Sequence, residues 1–327
     1  MRFLKSIVSR YKLHRFIPFK KVIIKVVALA FIQKQSKVYT VIECSKNTSS
    51  KKLCLFANYD GLNKIHDYVI YNLQKIKELN FEILLIVTSK ELPDSEIRKV
   101  SNIVDKIIFR ENIGYDFGSW KKGLEIVGDY DKYEQIFITN DSVYGPIYDL
   151  GEVFETMEKR GLDMWGLTDS FENRYHAQSY FLVFSQKIIQ SEFFKNFWNS
   201  VKYYPNALKS RIIQQYEIGL SRGALKNNFQ IGAYIGYYDI LEKILELGKE
   251  KKAPKKAFKK LLNPTLLLWK ELLMYSKSPY LKVDLIKSNP LKFNNVHEWY
   301  YLIKDSTYDR ENIINHLKHV LINPPKK

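Results

Sequence analysis

Four short runs, "LCLFAN" at 53–58, "EILLIVT" at 82–88, "KIIF" at 106–109 and "QIFIT" at 135–139, are apolar from end to end and do not alternate with polar residues. A strand that is apolar on both sides has to be covered on both sides, which is the pattern of parallel strands in an α/β layer structure. Between the runs, apolar residues return at helical spacing: Leu62, Ile65, Val69, Leu73, Ile76 and Leu79 in one gap, Phe117, Trp120, Leu124 and Val127 in another. These periods predict a Rossmann-like α/β fold, a mostly parallel sheet with helices on both faces. Ligands of such sheets sit outside the carboxyl ends of the strands. Asp60, Asp116 and Asp141 all fall just past predicted strand ends, on one rim.

The net charge of +17 is unevenly spread: residues 1–50 carry +10 and residues 249–327 carry another +10, which leaves the middle at −3. A basic N-terminal extension (1–50), a ligand-binding α/β domain (51–248) and a basic, mainly helical C-terminal region (249–327) are therefore expected. A nucleic-acid-binding core would itself be basic, so nucleic acid is not the expected partner. An anionic membrane surface is, since each Lys or Arg near one contributes on the order of 1 kcal/mol. The longest apolar run, "VIIKVVALAFI" at 22–32, contains a lysine, and it falls well short of the roughly 20 residues that a span needs. Residues 1–37 read either as a basic amphipathic helix lying on a membrane or as an extension packed on the core. Cys44 and Cys54 make no disulfide framework, and no Cys/His cluster has zinc spacing;. A cytoplasmic location follows as the expectation.

Asn140-Asp141-Ser142 ends a strand, and a carboxylate beside Asn or Ser suits a divalent cation bridging nucleotide phosphates. The same three residues also favour a plain turn. In "ENIGYDFGSWKKG", Gly114, Gly118 and Gly123 permit close backbone approach where a strand enters a helix whose amides favour an anion. Lys121 and Lys122 could meet a diphosphate there; a solvated helix face is the alternative.

These segments resemble a known family. Asn112-x-Gly114, then Gly123, then a strand ending in Asn140-Asp141-Ser142-Val143, looks like the motif order of family 2 glycosyltransferases with the type A fold. The wording "ENIGYDFGSWKKGL", "NDSVYGP", "YEIGLSR" and "NPTLLLW … SPYLKVDLIKSNP" is similar to the rhamnan synthesis protein F family, over roughly residues 50–320. The resemblance implies a type A glycosyltransferase-like sheet with helical N- and C-terminal extensions, and a nucleotide-sugar site. Asn58, Tyr59 and Asp60 would lie near base and ribose, Asn112 and Gly114 near the nucleotide, and Asp141 near metal (Mg or Mn) and diphosphate. Where the family's usual motif has its first acid, this chain has Thr139.

Further along, His176 precedes a buried strand "YFLVFS" and is a candidate base or phosphate ligand. The family pattern places a general base where Glu217 precedes Arg222, with Asp169 as the second candidate. The expected function is inverting transfer of rhamnose or a related sugar from a nucleotide-diphosphate donor, dTDP-L-rhamnose, to a lipid-linked cell-surface glycan, by a protein peripheral on the inner face of the cell membrane. The competing expectation, motivated by Thr139, is a non-catalytic membrane-peripheral protein that binds a nucleotide sugar or glycan.

Overall fold

A computed structural model describes residues 31–44, 49–205, 208–248 and 263–322. The expected helix of residues 1–37 and the lysine cluster after 249 lie almost entirely outside the described residues.

The strands are β1 (Val38–Glu43), β2 (Lys52–Asn58), β3 (Glu82–Val87), β4 (Lys106–Arg110), β5 (Gln135–Asn140), β6 (Val143–Tyr144), β7 (Met164–Ser170), β8 (His176–Ala177), β9 (Phe181–Ser185), β10 (Ile231–Ile235) and β11 (Leu281–Lys282). The main sheet runs β1-β4-β3-β2-β5-β9-β7-β10. Strands β4, β3, β2 and β5 are mutually parallel, as the four apolar runs predict. Strand β9 is antiparallel to both β5 and β7, and β1 is antiparallel to β4. The period of a buried run does not encode its direction, so "YFLVFS" gave no sign of the reversal. Strand β1 comes from the segment expected to be an extension, yet it closes one edge of the sheet.

The helices that bear on the site are α1 (Asp67–Glu78), α2 (Tyr115–Val127), α3 (Leu150–Arg160), α4 (Ile218–Lys226), α5 (Tyr237–Glu246) and α6 (Glu311–Ile322). Helix α1 buries Tyr68, Val69, Leu73 and Ile76 on one face of the sheet, together with α3 and the C-terminal segments carrying Trp269, Trp299 and Ile313. Helix α2 buries Phe117, Trp120 and Leu124 on the other face. Each such side chain taken fully out of water contributes about 1.5–3 kcal/mol. Gly123 lets α2 lie close, because a Cβ there would stand 2.8 Å from Ile86 and 3.0 Å from Leu55. Leu62, expected on the first helical stripe, is 55% exposed; α1 begins only at Asp67, after a loop organised by Asp60.

The chain thus winds outward from β2 through β3 to β4, crosses to the opposite face in α2, and returns beside β2 as β5. The gap beyond β2 and β5 is a topological switch point, where the flanking loops leave in opposite directions and open a crevice. Among the described residues, no helix is long and apolar enough to cross a membrane.

Candidate functional site

The crevice is built from the last residues of β2 and β5. Asp141 Oδ2 accepts the backbone N–H of Tyr59 at 2.7 Å, and the Asp141 amide donates to the Ala57 carbonyl at 3.2 Å. Burial pushes the Asp141 carboxyl up to about 7, the negative charges of Asp116 and Asp60 add to this, and the Tyr59 amide opposes it. Asn58 is buried, and its side-chain Nδ2 has no hydrogen-bond partner in the protein. A buried amide donor left unpaired costs about 1–3 kcal/mol, and Asn58 is one of the residues that line an open cavity.

The third wall is the loop after β4. Arg110 is fully buried and donates to Ser119 Oγ at 2.6 Å and to the Ile113 carbonyl, which pins the loop from inside. Burial lowers its guanidinium to about 10. Gly114 (φ +79°) and Tyr115 (φ +53°) then turn the chain into α2 through the left-handed region. That turn brings Asn112 and Asp116 to the rim. Asp116 Oδ2 accepts from Asn140 Nδ2 at 2.8 Å, and Asn140 Oδ1 in turn accepts from the Ser142 amide and hydroxyl at 3.1 and 2.5 Å.

Two cavities adjoin. The first, about 310 Å³, is walled by Asn58, Tyr59, Asn112, Tyr115, Asp116 and Asp141. The second, about 300 Å³, shares Tyr115 and Asp116 with the first and continues past Asn140 and Ser142 to Glu217 and Lys282. Glu217 ends a π-helical turn, Ile213–Glu217, immediately before α4, and its Oε1 accepts the Ser179 amide at 2.9 Å. Single π turns inside helices recur at functional sites because they re-aim a side chain. Lys282 arrives from the far end of the chain through the pairing of β11 with β6. Its Nζ is 3.3 Å from Ser142 Oγ and 3.9 Å above the Tyr180 ring.

Several residues singled out in the sequence are brought together at the cleft: Asn58, Tyr59, Asn112 and Asp141 in the first cavity, Asn140 and Glu217 in the second, with Asp116 common to both. Others are placed elsewhere. The Gly114 amide donates to the Tyr204 carbonyl at 2.8 Å and so is already engaged within the protein. Lys121, read as a possible diphosphate ligand, is buried and donates to the carbonyls of Asn199 and Val201 at 3.2 and 2.6 Å. Asp60 turns back into its own loop: Oδ1 accepts the amides of Leu62 and Lys64, and Oδ2 lies 3.1 Å from His66 Nε2. Burial alone would raise its carboxyl, but these partners outweigh that and lower it to about 2.

Asp169 and His176 line neither cavity. Asp169 Oδ1 accepts the Tyr237 amide at the start of α5, and burial raises its carboxyl to about 6. His176 is buried with Nδ1 2.8 Å from the Arg174 carbonyl, an acceptor, so this nitrogen carries the proton;. Arg110 and Tyr180 were not singled out by the sequence. A lone arginine directly after the apolar run "KIIF" was the one signal for Arg110, because a charge continuing a buried strand has to be compensated inside.

Fold and cleft together define an α/β protein with an open crevice at the ends of its parallel strands, walled by carboxylate, amide and hydroxyl side chains. The chain belongs to the Rhamnan synthesis protein F family, which it matches over residues 84–325. It is similar to the Virulence protein VirA of Vibrio anguillarum (strain ATCC 68554 / 775), 24% identical over 296 residues, 83% of this chain and 91% of that protein. Among solved structures, it resembles the glycosyltransferase GlyE of Streptococcus pneumoniae TIGR4 (TM-score 0.39, 14% identity, 84% of this chain and 64% of that one). It also resembles the mannosyltransferase Ktr4p of S. cerevisiae (TM-score 0.29, 12% identity, 56% of this chain and 67% of that one). Likenesses of this size carry no argument about chemistry, and the fold rests on the strand order itself.

Proposed function

We propose that this protein is a glycosyltransferase that moves rhamnose or a related sugar from a nucleotide-diphosphate donor to a lipid-linked cell-surface glycan, with inversion at the anomeric carbon. The observation that carries the reading is the pair of cavities joined at Tyr115 and Asp116, one holding Asn58 with its unpaired donor and Asp141, the other holding Glu217. Membership of a rhamnan synthesis family supports it.

In this reading the nucleotide occupies the first cavity, with Asn58 donating to it and Asn112 beside it. Asp141 and Asp116 line that cavity with no basic side chain among its walls, and a set of carboxylate, amide and hydroxyl oxygens fits Mg or Mn. Such an ion, when bound, would neutralise diphosphate charge. Thr139 stands where the family's usual motif has an acid; it is buried, its hydroxyl donating to the Tyr180 carbonyl, so Asp141 and Asp116 are the carboxylates left to hold the ion.

The sugar's anomeric carbon then lies at the junction, and the acceptor enters the second cavity. Glu217 takes the proton of the acceptor hydroxyl as its oxygen bonds to the anomeric carbon. The bond from that carbon to the diphosphate oxygen breaks, and its electron pair leaves on the diphosphate, which stays in the first cavity on the side away from Glu217. Asp169 and His176, engaged elsewhere, take no part.

Incubation of the purified protein with a panel of nucleotide sugars, dTDP-L-rhamnose first, with Mg or Mn and a rhamnan acceptor should release the nucleoside diphosphate. Donor binding by calorimetry with no turnover on any donor and acceptor combination would favour a non-catalytic binding protein instead, the reading to which Thr139 lends support. The basic ends lead to a further expectation, sedimentation with anionic but not neutral vesicles; equal binding to both would remove the membrane surface as a partner.

A further inference from the structure

Behind the β2 loop, outside both cavities, lies a group of imidazoles that the transfer chemistry does not use. Asp60 and His66 come from the loop between β2 and α1, and His316 and His319 from α6. The His66 ring stands 4.5 Å from that of His316 and 4.8 Å from that of His319, centroid to centroid. One ligand atom from each of Asp60, His66 and His319 lies within 4.8 Å of the others.

We propose that Asp60, His66 and His319 bind a divalent transition ion of the zinc class, with water in the fourth position, and that the ion fastens α6 to the β2 loop. Bonds of about 2.0–2.1 Å around a tetrahedral ion put its donor atoms about 3.3 Å apart. Asp60 Oδ2 and His66 Nε2, 3.1 Å apart, already have that spacing. His319 sits in the last turn of α6, where a side-chain rotation supplies the remaining approach of up to about 1.5 Å. Two imidazoles and one carboxylate suit zinc and its neighbours, in contrast to the carboxylate, amide and hydroxyl oxygens of the first cavity, which suit Mg or Mn.

The surroundings are those of a supported ligand set. The amides of Leu62 and Lys64 hold Asp60 Oδ1 at 2.9 and 3.2 Å and leave Oδ2 turned to the imidazole; such partners orient metal ligands and commonly matter for affinity. His316 walls the inner side, its Nδ1 fixed 2.7 Å from the Tyr144 hydroxyl. The charges of Lys64 and Lys287 reach the histidines and oppose a cation, and the Asp60 carboxylate is the anion that offsets them. Tyr59, whose amide holds Asp141, is the residue next to Asp60. The ion would therefore stiffen the rim of the cleft without touching a ligand there. This site does not depend on the glycosyltransferase reading.

Full-length protein stripped with a chelator and titrated with Co²⁺ should bind one equivalent, with the visible bands of tetrahedral cobalt, and Zn²⁺ should bleach them. Asp141→Asn, which alters the cleft and not this group, should keep the tetrahedral cobalt bands. His319→Gln and Asp60→Asn should lose the bands and weaken Zn²⁺ binding, read by calorimetry, by at least about 100-fold. If His66→Gln does not fold, the half-buried His319 still tests the site. Absence of stoichiometric Co²⁺ or Zn²⁺ binding in the wild type, or unchanged binding in both His319→Gln and Asp60→Asn, would overturn the proposal.

Discussion

The Tyr59 amide donates to the Asp141 carboxylate across 2.7 Å, so the loops leaving β2 and β5 meet at a single side chain. The bond sets the direction of a carboxylate that burial and neighbouring negative charge hold at about 7. Its orientation is thus supplied by backbone, and its charge is left for a ligand or ion to stabilise.

Asp141→Asn keeps an oxygen acceptor for the Tyr59 amide and removes the charge. Nucleoside diphosphate release should fall at least about 100-fold. Thermal stability at pH 8 should stay the same or rise, because the unbound protein no longer holds a buried carboxylate. Normal turnover in this variant would remove Asp141 from the site.

Glu217→Gln should separate chemistry from binding. Turnover should drop by about 10²–10⁴-fold, the usual contribution of a general base. The donor dissociation constant from calorimetry should stay within about threefold of wild type, since Glu217 lines the second cavity only. A loss of donor affinity with turnover intact would place it in the wrong role.

Asp169 makes stability depend on pH. Its carboxyl titrates at about 6 in the folded chain against an ordinary 3.8. The folded state therefore binds this proton more tightly than the unfolded state does, so the contribution is fully present below 3.8 and is lost as pH rises through about 6. The loss amounts to on the order of 3 kcal/mol at neutral pH. Asp169→Asn keeps the acceptor for the Tyr237 amide and should flatten this slope, with urea midpoints at pH 5 and pH 8 drawing closer. An unaltered pH dependence would show that the carboxyl is not held this way.

Gly114 and Gly161 both have positive φ, yet a Cβ at Gly114 would stand 2.8 Å from the Tyr203 ring, whereas nothing lies within 4 Å at Gly161. Gly161→Ala should cost about 1 kcal/mol for the left-handed backbone alone. Gly114→Ala should cost at least about 2 kcal/mol more from the clash, measured by urea unfolding. Equal costs would mean that Tyr203 moves aside freely.

The four parallel strands, the face that α2 buries and the rim on which the aspartates sit were legible because they follow from local apolar period and from the rule that ligands gather at strand ends. Asp116 and Asp141 could be located in this way, and the family resemblance added Asn58, Asn112 and Glu217. The direction of β9 could not be read, since a run buried on both faces looks alike in either orientation. Lys121 shows the same limit at a single residue. A lysine on a helix looks solvated until another segment covers it, and in this fold the carbonyls of Asn199 and Val201 do so.

By itself, the sequence determined the four parallel strands, the buried faces of α1 and α2 and the residues that follow those strand ends, because those properties depend on neighbours a few positions away. Only the tertiary structure decided that Lys282 stands over Tyr180 beside Ser142, that Asp60 faces His66 rather than the cleft, and that His319 comes within a few ångströms of both. Those pairings join residues far apart in the chain. They exist because the C-terminal segments share the core under α1 and α3, and burial of that shared apolar surface, with no local pattern to announce it, carries distant polar side chains to one place.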